Sequence, residues 1–293
     1  QFILVGLKSH PGSLLLLSVL NNMYVVTVVG NACMNLIIRM DSKLHTPMYF
    51  FLENLSILDI CYSSVITPKA ALTFSLGRRI ISYNGCACQM FFFSLFATTK
   101  AFFLAVMAYD HFTAICNPLL YKIITNKRLC VFTVVGSYLS GCINCTIQTG
   151  FTFSLSFCGP KEINHFCDVP AVMDALCSDT LVNEIVMLDL CGSIIGGTAL
   201  VGFISRVYII ITIVQMPSAE GRCKVFSTAL PHADRQLILC DCVMCAQPGA
   251  TSSPDKSNTI AILYTVVIPM LNPFIYTLRN KEAKGSLKKQ LKR

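Results

Sequence analysis

Seven apolar runs constrain this chain more than any other feature. They lie at about 14–38, 48–74, 87–110, 129–153, 184–214, 225–247 and 258–278. Each approaches the length of about 20 residues that a helix needs to cross a hydrocarbon core, although charge breaks the sixth. A backbone in lipid must satisfy its own hydrogen bonds, so the spans are expected to be helices. Only 13% of the 293 residues are charged, against about 25% in soluble domains. Composition therefore excludes a soluble enzyme and points to an all-α membrane protein. A single bundle domain over 1–293 is expected, with no internal repeat of the kind that marks many transporters.

Charge orients the bundle. With the N-terminus outside, fourteen of the 23 Lys and Arg residues fall in the inner loops and tail and five fall outside, at Lys8, Arg78, Arg79, Lys161 and Lys256. Basic residues collect on the cytoplasmic side, so the N-terminus is placed outside and the tail at about 280–293 inside. The tail lysines surround Leu287 and Leu291, four residues apart, which fits a short amphipathic helix on anionic lipid. Spread in this way, the net charge of +8 favours membrane lipid over nucleic acid as a partner.

Most of the 16 cysteines lie in apolar runs, where Cys acts as a small hydrophobe. Cys142/Cys145 and Cys242/Cys245 have C-x-x-C spacing, but neither has a second pair nearby, so no metal or cofactor is expected. Asn54 and Asn144 begin glycosylation triplets inside apolar runs and are read as chance. The chain opens on Gln1, so a further N-terminal stretch is expected to precede it. A long outer connection at about 154–183 holds Cys158, Cys167 and Cys177. With Cys86 they form a set of four, which allows three disulfide connectivities in an oxidising compartment.

Several polar residues interrupt the spans. Asp59 and Lys100 sit within the second and third runs, and Asp110-His111 closes the third. Intramembrane charge is costly and usually functional. An ion path through Asp59, Lys100 and Asp241 would suit a transporter or channel.

Short motifs argue for a different class. Leu44-His45-Thr46-Pro47-Met48-Tyr49-Phe50-Phe51-Leu52 resembles the LHTPMYFFL of olfactory receptors, a family of rhodopsin-like G-protein-coupled receptors. Met107-Ala108-Tyr109-Asp110-His111 and the run to Leu119 resemble its MAYDRYVAICNPL. The link from Pro217 to Thr228 resembles PSAEGRRKAFST. Pro269-Met270-Leu271-Asn272-Pro273-Phe274-Ile275-Tyr276-Thr277-Leu278-Arg279-Asn280-Lys281-Glu282 follows PMLNPxIYxLRNKE almost fully. The resemblance covers the chain apart from the eroded sixth run.

That resemblance implies a seven-helix plasma-membrane receptor for small, volatile, mostly apolar odorants. It would activate a stimulatory olfactory-type G protein and raise cAMP. It implies disulfides Cys86–Cys167 and Cys158–Cys177. Transposed family positions give Phe93, Ala97, Thr98, Leu190, Ile194, Val243, Gln247 and Thr265 as ligand contacts, each of which could equally be helix packing. Asp110, His111, Asn272, Pro273 and Tyr276 fall on the activation switch.

Departures from the pattern support a second reading, a degenerate receptor that inserts without signalling. His111 stands where the family has Arg, and a His cannot copy the five-donor fork of a guanidinium. It is either a pH-sensitive group or a solvated helix-end His. Arg206 replaces a Tyr, and Tyr208, about 200° further round the helix, cannot substitute for it. Asp234, Arg235 and Asp241 charge the sixth run. Lys100 replaces a Glu that, in related receptors, helps Asp59 hold sodium. Either its ammonium pairs with Asp59 in place of the ion or it damages folding.

Overall fold

The computed structural model describes residues 2–4, 13–76, 80–157, 162–163, 167, 172–173, 181–215 and 267–279. The sixth apolar run, the tail helix and most of the 154–183 connection lie outside the described residues. Among the described residues, five helices are long and apolar enough to cross a membrane. They are α1 (Ser13–Met40), α2 (Pro47–Leu76), α3 (Tyr83–Cys116), α5 (Lys127–Phe153) and α6 (Leu181–Gln215). A short helix, α4 (Pro118–Ile124), joins α3 to α5, and α7 (Ile268–Arg279) covers the C-terminal part of the seventh run.

The helices outrun the apolar runs that announce them. At 34 residues, α3 is about 51 Å long, well beyond a hydrocarbon core of about 30 Å. Local chemistry sets its ends. The Ser82 hydroxyl accepts a bond from the Gly85 backbone N–H at 3.1 Å, capping a first-turn donor. At the other end Pro118 forces Asn117 out of helical conformation. Asn126 caps α5 in the same way, accepting from the Leu129 N–H at 2.8 Å.

The centre of the bundle is α3, which packs against α2, α5 and α6, while α1 lies on α2 and α7. Two glycines permit close approach. A Cβ on Gly141 of α5 would lie 2.5 Å from Thr99 Oγ1 of α3, and one on Gly30 of α1 would lie 3.3 Å from the Pro273 ring of α7. Large apolar side chains such as Leu36, Phe132, Phe203 and Val214 point outward, as expected where lipid is the solvent.

The buried core divides by level. Leu44, Tyr49, Phe51 and Leu52, from the Leu44–Leu52 stretch, pack with Met34, Phe103 and Met107. At the opposite end Ile81, Cys86, Met90, Cys167 and Val172 form a smaller cluster.

The all-helix expectation misses one feature. A small sheet of order β2-β1-β3 joins β1 (Phe2–Leu4), β2 (Ile80–Ile81) and β3 (Glu162–Ile163). Phe2 pairs antiparallel with Ile81, and Ile3 pairs parallel with Glu162. Strands of two or three residues are too short to show an alternating pattern.

Candidate functional site

Mid-bundle, three helices meet on one carboxylate. Lys100 Nζ of α3 lies 2.6 Å from Asp59 Oδ1 of α2, with the two side chains 2% and 1% exposed. Asn272 Nδ2 of α7 donates to the other oxygen, Oδ2. The ammonium also sits 5.4 Å from the centroid of the Tyr62 ring. An isolated charge here would be costly, and the pair neutralises both partners while the amide fills a remaining lone pair.

Above this knot Tyr62 stacks on Phe93 at 5.2 Å. Phe93, Ala97, Ile194 and Ile268 pack around buried Tyr62, Ala101 and Leu104. The structure thus brings three of the expected ligand contacts, Phe93, Ala97 and Ile194, into one apolar group. Thr98, next to Ala97 in sequence, instead joins a polar chain toward α5 and α6. Its Oγ1 accepts from Asn144 Nδ2 at 2.9 Å, Asn144 Oδ1 accepts from Gln148 Nε2 at 3.4 Å, and that same Nε2 donates to Cys191 Sγ at 3.2 Å. Leu190, one residue before Cys191, is half-buried. Val243, Gln247 and Thr265 lie outside the described residues.

Backbone chemistry shapes the seventh helix. Pro273 has no N–H, so the carbonyl of Pro269, four residues earlier, loses its helical donor. Asn31 Nδ2 of α1 supplies one at 3.1 Å while also donating to its own Thr27 carbonyl at 2.9 Å. Gly30, next to Asn31, leaves room for the Pro273 ring. In the sequence, the Pro269/Pro273 spacing carries the signal for this repair.

At the end of α3 opposite the disulfide, Asp110 is 4% exposed and accepts two contacts from the Tyr121 hydroxyl, at 3.0 Å to Oδ1 and 3.3 Å to Oδ2. Tyr121 belongs to α4 and was not singled out from sequence. Burial first, then the neighbouring carboxylate, push its phenol above the ordinary tyrosine value. His111 is 8% exposed, which corrects the reading of a solvated helix-end His. The third span simply continues past it to Cys116. Tyr208 faces Phe112, with ring centroids 5.7 Å apart, and Cys116 Sγ lies 3.2 Å from Thr212 Oγ1. These contacts tie α3 to α6 beside Arg206. Pro273 is buried, and Tyr276 lies one turn on in α7.

At the other end a disulfide joins Cys86 to Cys167, with Cα atoms 5.5 Å apart. It pins the long connection to the tip of α3. Gln89 reinforces it, accepting from the Cys167 N–H at 3.4 Å and donating to the Val65 carbonyl at 3.2 Å. Cys158 and Cys177 lie outside the described residues. Both glycosylation triplets fall within helices, and the Asn54 and Asn144 amides are engaged with Phe50 and Thr98.

Comparison with known proteins agrees with this arrangement. The family model described as "Olfactory receptor" matches residues 20–293. Human olfactory receptor OR9H1 is 48% identical over 100% of this chain and 96% of its own length. Mouse olfactory receptor 9S13 is 47% identical over 98% of this chain and 88% of its own. Human olfactory receptor 5B21 is 46% identical over 99% and 95%.

Proposed function

The chain belongs to the olfactory receptor family, and from that premise we propose an odorant-activated switch. It is a multi-pass membrane protein and not an enzyme. In this reading seven spans form one domain in the plasma membrane, with the N-terminus outside and a short tail helix at 282–291 inside. A small, mostly apolar odorant binds toward the disulfide end, against Phe93, Ala97 and Ile194. Leu190, Val243, Gln247 and Thr265 complete the proposed wall. Binding shifts the population toward an arrangement in which the sixth span swings outward. The inner face then admits a stimulatory olfactory-type G protein, and cAMP rises.

One observation carries this reading. The apolar group at Phe93 is contiguous with the Asp59–Lys100–Asn272 knot, so a ligand contact and the seventh helix share one packed unit. The buried knot also supports the reading of Lys100 as a tethered cation that stands in for sodium.

A second reading, a receptor that binds but couples poorly, is favoured by the inner end. Tyr121 occupies both oxygens of Asp110, and His111 offers a single donor where the family pattern has an Arg fork.

Cells bearing the full chain or His111→Arg, with surface level and cAMP read together across an odorant panel, separate the two. A response from the unmodified chain supports the signalling receptor. A response from His111→Arg alone places the loss in coupling, with the odorant site intact. If both reach the surface and neither responds, the signalling reading fails.

A further inference from the structure

Among the described residues, the most exposed large apolar side chain is Leu119, at 93%. It belongs to α4, the seven-residue helix that follows α3. Ile123 lies four residues on, hence on the same face, and is 71% exposed; Leu120 beside them is exposed as well. Tyr121 sits about 200° round the helix from Leu119, and its hydroxyl contacts both oxygens of Asp110. Held by that contact on one face, α4 presents its aliphatic side chains on the other.

Aliphatic side chains that meet water are unfavourable, and an exposed apolar patch with a polar rim marks a docking surface. Charge indicates what docks. Residues 117–128 hold three basic residues and no acid, and no acid occurs anywhere in 111–161. Two of the three, Lys127 and Arg128, open α5 and are exposed. Depth agrees with charge. Leu129 and Phe132 of α5 already point outward, and they stand only about 3–8 Å along the helix from Lys127. The last residue of α4, Ile124, precedes Lys127 by three positions. The short helix therefore lies where lipid-facing side chains give way to basic ones, the level at which amphipathic helices rest on a bilayer.

We propose that α4 docks on the anionic inner leaflet of the membrane. Leu119, Leu120 and Ile123 enter the boundary of the acyl chains, while Lys127 and Arg128 meet the charged headgroups of lipids such as phosphatidylserine. The inference rests on the membrane-spanning reading and takes its leaflet from the proposed orientation, with the N-terminus outside.

The chain contains no tryptophan, so a single substituted tryptophan reports alone. Full chains carrying Ile123→Trp or Leu119→Trp are reconstituted in vesicles of phosphatidylcholine, or of equal parts phosphatidylcholine and phosphatidylserine. Phosphatidylcholine with brominated acyl chains quenches from the lipid side, and acrylamide quenches from water. Phe132→Trp, on the outward side of α5, gives the quenching of a lipid-facing residue in the same vesicles, and every reading is taken as a ratio to it. With phosphatidylserine present, both α4 reporters are expected to reach at least about half the bromine quenching of Phe132→Trp. That ratio is expected to fall about twofold in phosphatidylcholine alone. Adding Lys127→Gln and Arg128→Gln to Ile123→Trp removes the difference between the two lipids. Reporters quenched by acrylamide and not by bromine in either lipid would put α4 in water, with its aliphatic face left to a protein partner, and overturn the inference with the spans intact. Equal bromine quenching in both lipids overturns it too, since the basic residues would then take no part. Absence of bromine quenching at Phe132→Trp would remove the membrane-spanning reading itself, and this inference with it.

Discussion

Single residues carry most of what is unusual in this chain, and Lys100 carries most of all. A lysine at the centre of a span costs about 2.5–3.5 kcal/mol on an insertion scale, yet this one ends 2.6 Å from Asp59. Removing one partner of a buried pair typically costs about 3–5 kcal/mol, whereas replacing both with neutral groups of similar volume is often tolerated. Lys100→Ala is therefore expected to lower surface level and melting temperature, and Asp59→Asn with Lys100→Met to recover most of the loss. A rise in surface level on Lys100→Ala would remove the stabilising role. Asp59 and Lys100 were legible because charge stands out against an apolar run. Tyr121 was not, since a tyrosine in a short connection looks like any other until α4 folds it back onto Asp110. Thr98 was legible only as a transposed family position. Its partner Asn144 lies 46 residues away in sequence.

Elements show where periodicity stops being informative. The five described spans were countable from hydropathy because lipid demands about 20 apolar residues from each. Their ends were not, because Ser82, Asn126 and Pro118 act through capping and backbone geometry rather than hydrophobicity. The α1–α7 contact is of the same kind. Pro273 orphans the Pro269 carbonyl, Asn31 repairs it, and Gly30 clears the space. Asn31→Leu removes the repair and is expected to cost about 1–3 kcal/mol. Gly30→Leu forces α1 away from Pro273 and is expected to cost about 1–3 kcal/mol by overpacking. Thermal denaturation of the solubilised full chain, followed by size-exclusion fluorescence, checks both. Wild-type melting in either variant would mean that α7 is held by contacts other than α1.

At the scale of the whole molecule, what matters is whether the two ends of the bundle communicate. Phe93 stacks on Tyr62, Tyr62 lies over the Lys100 ammonium, Lys100 pairs with Asp59, and Asp59 accepts from Asn272 of α7. Contiguity alone is not coupling, which requires an element whose equilibrium both sites bias. The proposed element is α7, already weakened by Pro273 and held from outside by Asn31 and Asp59. A ligand seated against Phe93 restricts the Tyr62 ring and, through Lys100, the carboxylate that Asn272 holds. Amide hydrogen exchange across Ile268–Arg279 should therefore slow when an odorant that binds is added to the full chain in nanodiscs. Tyr62→Leu cuts the series at its second member, removing both the stack and the ring over the ammonium. In that variant the odorant is expected to bind within about threefold of its original affinity but to leave exchange in α7 unchanged. Protection that persists in Tyr62→Leu would send the coupling through another route, such as the packing of Ile268 of α7 beside Phe93.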